Sequence, residues 1–163
     1  MFDDLLAANR SYQSHFEDTG LPGRAAKGLA VLTCIDSRID PLAMLGLKPG
    51  DAKIIRNAGA RVTSDALRSL VLAVNLLAVE RICLVQHTDC AMAGRTDDDV
   101  RARIKEVRGV ESSEWEFHTM TDQMSTIASD AGLIRACPLM PEHLEVGCFI
   151  FDVRTGALQP VDG

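Results

Sequence analysis

The segment Leu29-Ala30-Val31-Leu32-Thr33-Cys34-Ile35 is apolar almost throughout and lies between Gly28 and Asp36. So short a run, without alternation and closed by a glycine and an acid, reads as a strand buried on both faces, as in a parallel sheet covered by helices. Ile82-Cys83-Leu84-Val85-Gln86 has the same character, and Lys53-Ile54-Ile55-Arg56 is a shorter strand between the two. From Ser64 to Val79 the apolar positions Ala66, Leu67, Leu70, Val71, Val74, Leu76 and Leu77 cover more than one face of a helix. That helix is either deeply buried or packed against another subunit.

Around this frame the other elements follow from local signals. Leu5, Leu6, Tyr12 and Phe16 among polar neighbours predict an amphipathic helix over residues 3 to 16, lying on this domain or on a partner. Asp40-Pro41 is a cap followed by proline at a first helical position, and Gly46 stops what reads as a helix of about two turns. Thr96 to Asp99 opens a helix with acids and Arg101, Arg103, Lys105 and Arg108 close it with bases, which suits the helix dipole. Met120, Met124, Ile127 and Ala131 predict a buried helical stripe over 120 to 131, with Trp115 a packing anchor in the preceding loop. A strand from Val146 to Val153 turns at Arg154-Thr155-Gly156 into Ala157 to Val161 as a hairpin. The expected fold is one α/β domain over 1–163, with a helical arm over 1–28 and a core over 29–163. Its central sheet has four to five mostly parallel strands flanked by helices, and a C-terminal antiparallel edge strand.

Bulk properties narrow the function. A length of 163 residues with 47% hydrophobic residues suits a single core. A net charge of -6 leaves no basic stripe to neutralise phosphates, so no nucleic-acid partner is expected. The N-terminus has no basic region followed by an apolar core, and no apolar run approaches a membrane span, so a cytoplasmic protein without membrane attachment is expected. Five cysteines without framework spacing point to free thiols or metal ligands rather than disulfides.

Three of those thiol and imidazole groups stand at telling places. Cys34 falls at the C-terminal end of one predicted strand, and His87-Thr88-Asp89-Cys90 follows the end of another. Ligands of open α/β sheets bind beyond the carboxyl ends of the strands, and neighbouring strands lie about 4.8 Å apart, so both motifs can reach one point. Two thiolates and an imidazole can hold zinc and leave a tetrahedral position open. Taken singly, Cys34 and Cys90 read equally as buried thiols and His87 as a hydrogen-bonded core histidine. Asp36 and Arg38, an acid and a guanidinium beside the strand-end cysteine, favour the metal.

Cys34-Ile35-Asp36-Ser37-Arg38, Arg56-Asn57-Ala58-Gly59 and His87-Thr88-Asp89-Cys90 together resemble, in order and spacing, the three signature segments of the β-class carbonic anhydrases, over about residues 29 to 91. The resemblance implies Zn2+ held by Cys34, His87 and Cys90, with Asp36 and Arg38 as the dyad beside the fourth position. It implies reversible hydration of carbon dioxide to bicarbonate in a homodimer or homotetramer. Ala91 stands where the family usually has glycine, so its methyl group is expected to tune access to the pocket.

Zinc lowers the pKa of a bound water so that hydroxide can attack carbon dioxide near neutral pH. Asp36, paired with Arg38, either orients that group or, unpaired, takes the fourth zinc position and closes the site. Asn57 and Gly59 shape the pocket wall, while Arg56 anchors the loop or draws in bicarbonate. Ser37 has no histidine beside it and reads as a local hydrogen-bonding residue. His15, His118 and His143 are proton relays or solvated surface groups. A hydrolase of carbonyl sulfide or carbon disulfide could use the same ligands, and a non-catalytic zinc module is the alternative from another class.

Overall fold

The computed structural model describes residues 1–163. Helix α1 (Asp3–Gln13) precedes β1 (Leu29–Cys34), β2 (Ala52–Asn57), α2 (Ser64–Leu76), β3 (Arg81–His87), α3 (Asp97–Arg108), α4 (Gln123–Arg135), β4 (Glu145–Phe151) and β5 (Leu158–Val161). The strands form one sheet in the order β2-β1-β3-β4-β5. All pairs are parallel except β4 with β5.

Every residue of β1 is buried, as its uninterrupted apolar run requires. On one side of the sheet Ala30, Leu32, Ile82 and Leu84 pack with Ala66, Leu70 and Ala73 of α2 and Ile127, Ala131 and Ile134 of α4. On the other, Leu29, Val31, Val85 and Phe151 pack with Ile39 and Met120. Thr33, the one hydroxyl in β1, is fully buried and donates to the Val85 carbonyl at 2.9 Å, so no polar atom is stranded there.

β1 has β2 on one side and β3 on the other, so the chain reverses its direction of progress across the sheet at β1. The crevice beyond the carboxyl ends of β1 and β3 is therefore the topological switch point, where open α/β sheets bind ligands. Thr33 pairs with Val85 in the register, which brings Cys34 and His87 to that crevice from adjacent strands.

Several local expectations are corrected. The opening helix ends at Gln13 rather than residue 16 and has no buried residue. Asp40 does cap the following turn, accepting from the amides of Leu42 and Ala43, but Gly46 at φ +62° cuts it to a single 3-10 turn, Ala43–Leu45. α2 stops at Leu76 and buries only Ala66, Leu70 and Ala73, leaving Leu72 and Leu76 exposed. α4 starts at Gln123, because Asp122 accepts the amides of Met124 and Ser125, so Met120 lies outside the helix and Met124 is exposed. Trp115 is 67% exposed and anchors nothing with its ring; its carbonyl accepts from Arg101.

The segment after α3 is held by the helix that precedes it. Asp97 accepts the amides of Phe117 (2.7 Å) and Thr119 (3.0 Å) and the Thr119 hydroxyl (2.7 Å). These bonds, led by the Thr119 amide, hold its carboxyl well below the usual carboxylate range. A carboxyl depressed in the folded state adds stability that is present above the unfolded value near 3.9 and is lost as pH falls toward the folded one. Asp97→Ala is expected to cost about 1–2 kcal/mol at neutral pH. In urea unfolding, its deficit against wild type should shrink below about pH 4; a deficit independent of pH would contradict this role.

Candidate metal centre

Cys34, His87 and Cys90 are all buried, and their ligand atoms lie within 4.8 Å of one another. Cys34 closes β1, His87 closes β3, and Cys90 returns to the same point through a turn in which Asp89 adopts φ +57°. Left-handed backbone at a residue other than glycine is uncommon, and here it lets two ligands three positions apart face one place. The turn is pinned from behind. The Thr88 amide donates to Phe151 O (2.9 Å), Val153 N to the Thr88 hydroxyl (3.2 Å), and the Gln123 amide to His87 O (3.0 Å).

The donor set fits a cation. His87 Nδ1 lies 2.8 Å from its neighbour's carbonyl at Thr88, which directs Nε2 inward, and Nε2 is buried with no partner of its own. Donors on one tetrahedral zinc stand about 3.5–4 Å apart, so the cluster needs only a small inward shift. The sulfurs give the same sign. Cys34 is pushed toward thiolate chiefly by the Cys90 thiol beside it, against the penalty of burial, with His87 and the Gly59 amide adding to the effect. Cys90 is pushed strongly the other way, because it would be a second anion beside the first and is buried too. Burial pulls His87 down, but Cys34, the Thr88 carbonyl and Asp36 together outweigh it and raise the imidazole. Both thiols can ionise together only with a positive charge between them.

Beside the ligands lies a polar gate. Arg38 donates through Nε to Asp36 Oδ1 (2.9 Å) and through Nη2 to Oδ2 (2.7 Å). That two-pronged grip, with the Arg38 amide on Oδ1 as well, keeps the Asp36 carboxyl far below its usual range. Asp36 Oδ2 lies 3.9 Å from His87 Nε2. The far side of the guanidinium donates to Asp89, at Oδ2 (2.8 Å) and at its carbonyl (3.1 Å). Arg56 anchors the strand end, Nε to Cys34 O (2.9 Å) and Nη2 to Asp36 O (2.7 Å).

The wall between β2 and α2 is backbone. Gly59 donates its N–H to Cys34 Sγ at 3.3 Å. It sits at φ +77°, and a Cβ there would stand 3.2 Å from Met120 Cε and Met92 Cβ, so any other residue is strained and must push its neighbours aside. Asn57 does not face the cluster with its amide, which bonds its own loop to the amide and carbonyl of Arg61. Ala91 is exposed and lies outside the left-handed region, so its methyl group carries no backbone penalty. His15 is in the exposed arm, His118 turns at φ +56°, and His143 lines a polar cleft with Lys27, Glu80 and Arg81, at the other end of the sheet. The larger clefts of the chain thus lie away from the ligands; donor chemistry, not volume, marks this site. Asp89, Gln123, Met92 and Met120 join it without having been expected. Only Asp89 carried a sequence signal, as an acid inside the His87-Thr88-Asp89-Cys90 ligand motif.

Fold and site define an α/β protein with two sulfurs and one nitrogen, placed so that they could hold a metal ion, at the switch point of a mostly parallel sheet. The profile of the carbonic anhydrase family matches residues 29–158. A β-carbonic anhydrase 1 from Mycobacterium tuberculosis is 38% identical over 159 residues, covering 98% of this chain and 96% of the relative. A carbon disulfide hydrolase from Saccharolobus solfataricus is 28% identical over 155 residues, covering 80% of this chain and 76% of that protein. Among solved structures, a carbonic anhydrase from Streptococcus mutans superposes with a TM-score of 0.92 at 35% identity, covering 99% of this chain and 97% of that one. The chain belongs to the β-carbonic anhydrase family.

Proposed function

We propose that this chain catalyses the reversible hydration of carbon dioxide to bicarbonate, with zinc held by Cys34, His87 and Cys90. The observation that carries the reading is the Asp36 carboxyl, gripped by Arg38, 3.9 Å from the unpartnered Nε2 of His87. Zinc, when bound, supplies the Lewis acidity that makes water a nucleophile near neutral pH. Asp36 is only an acceptor at neutral pH, so it takes a hydrogen bond from the nucleophile's proton and aims the lone pair at carbon. Arg38 keeps Asp36 from turning onto the metal as a fourth ligand, and Asp89 keeps Arg38 in place. Gly59 and Ala91 bound the substrate's approach, and Asn57 shapes the same wall by holding its loop. Two anionic sulfurs cancel the ion's charge more fully than neutral imidazoles would, so activity should rise on the alkaline side.

Carbon disulfide or carbonyl sulfide hydrolysis is the competing reading, because carbon disulfide hydrolases are among the relatives. Greater identity and coverage with a carbonic anhydrase favour carbon dioxide. A non-catalytic zinc module is disfavoured by the assembled Asp36–Arg38 dyad and by a ligand set of three, since structural zinc sites are normally closed.

We also propose a single domain over 1–163, an arm over 1–28 and a cytoplasmic setting, where thiol ligands stay reduced. Assembly into a homodimer or homotetramer is supported by an opening helix, α1, that buries none of its residues in its own chain. Phe2, Leu5, Leu6, Tyr12 and Phe16 are all more than half exposed, as are Leu76 and Leu139 elsewhere on the surface. Equilibrium sedimentation should return a multiple of the chain mass, and a monomer at micromolar concentration would contradict it.

Stopped-flow assay of the zinc-loaded protein should show hydration rising toward alkaline pH, abolished by chelation and restored by zinc. Asp36→Asn should lose about 100-fold or more in kcat/KM. A profile already flat from pH 6 upward would contradict the thiolate argument. Turnover of carbon disulfide or carbonyl sulfide without carbon dioxide would transfer the site to the competing reaction.

A further inference from the structure

Behind the ligand cluster the chain buries an ion pair that the chemistry above does not use. Asp130 of α4 is 1% exposed and Arg61, just after the 58–60 turn, is 17% exposed. Arg61 donates through Nε to Asp130 Oδ2 (2.7 Å) and through Nη2 to Oδ1 (3.1 Å), a fork that only a guanidinium offers. Oδ2 also accepts the amide of Val62. The remaining prong, Nη1, donates to His118 O (2.6 Å) and more weakly to Thr119 O (3.4 Å). One guanidinium therefore joins α4, the loop after β2 and the segment leading to Met120.

Each joined segment carries part of the metal centre. The loop after β2 presents the Gly59 N–H to Cys34 Sγ, and Arg61 closes that loop through its backbone bonds to Asn57. Met120, immediately after Thr119, abuts Gly59, and Gln123 at the start of α4 holds the His87 carbonyl. The loop is also conformationally costly, with Gly59 at φ +77° and the buried Ala60 at φ +56° in succession. An alanine does not hold that conformation unaided, so the surroundings must impose it. A buried ion pair is weak grounds for stability, because apolar residues of similar volume often serve as well. Geometry is the better account of its presence.

We propose that Arg61 and Asp130 are positioning residues, which keep the Gly59 N–H on the Cys34 sulfur and thereby set how strongly that thiolate donates to the metal. The proposal rests on the reading of Cys34 as a ligand. A hydrogen bond to a ligating sulfur withdraws electron density from it, and groups that hydrogen-bond to metal ligands typically alter metal affinity or activity by about 10–100-fold. Losing it makes the sulfur a stronger donor and the metal a weaker acid.

The test compares wild type, Arg61→Lys and the double variant Arg61→Met with Asp130→Leu, each loaded with zinc for kinetics and with cobalt for spectroscopy. The double variant removes both charges together and so leaves no unpaired buried ion to unfold the chain. It should bind one cobalt per chain with the thiolate-to-metal charge-transfer band moved to lower energy. Its kcat/KM for carbon dioxide should fall about tenfold, with the alkaline rise displaced to higher pH. Arg61→Lys, which keeps the charge and loses the fork, should lie between. An unshifted band and pH profile in the folded double variant would overturn the proposal; should that variant not fold, an unshifted band in Arg61→Lys overturns it alone. A wild type that binds cobalt but hydrates no carbon dioxide removes the proposed function and leaves the spectra to decide the role of the pair. An active wild type with indifferent variants removes the pair's role only.

Discussion

Two sulfurs and an imidazole are forced together in a buried crevice, and they cannot all adopt their ligating forms without a cation between them. The opposed shifts of Cys34 and Cys90 express this: one thiol ionises at the expense of the other. Burial deepens the conflict, because an uncompensated charge is costliest where water is excluded. The fold creates the crowding by placing β1 and β3 side by side, so that Cys34 and His87 finish adjacent strands and Cys90 follows one turn later.

Around that constraint the chain arranges charges in pairs that decide what else can reach the cation. Asp36 stands closest and is restrained by Arg38, which is itself divided between Asp36 and Asp89. The carboxylate thus remains an acceptor facing the open side of the cluster. The opposite side is closed by backbone and thioether, the Gly59 amide against Cys34 and Met92 and Met120 against Gly59.

Much of the arrangement was legible in the residue order. Buried parallel strands announce themselves as short unbroken apolar runs, and the ligands sit where those runs stop. Asp40-Pro41 gave a correct cap signal, but only a few residues separate it from Gly46, too few for an α-helix. The start of α4 was misplaced because Met120 fits a helical apolar spacing while pairing instead with Ala93 as an isolated bridge; the cap at Asp122 was the better guide. Asn57 lies in the predicted wall, but its side chain turns into its own loop. Arg61 and Asp130 could not be paired from sequence at all, since they stand 69 positions apart and a helical period at Asp130 says nothing of which distant side chain meets it. Side-chain direction at a loop and ion pairs of long sequence separation are decided by tertiary packing, which local pattern does not encode.

In the proposed centre three protein ligands hold zinc and leave one position for chemistry. X-ray absorption at the zinc edge of the loaded protein reads this directly, because sulfur is distinguished from nitrogen and oxygen by both bond length and scattering. Two sulfur and two lighter scatterers per zinc, falling to one sulfur in Cys34→Ala, is the predicted result. Three or four sulfurs, or a spectrum indifferent to Cys34, would contradict it.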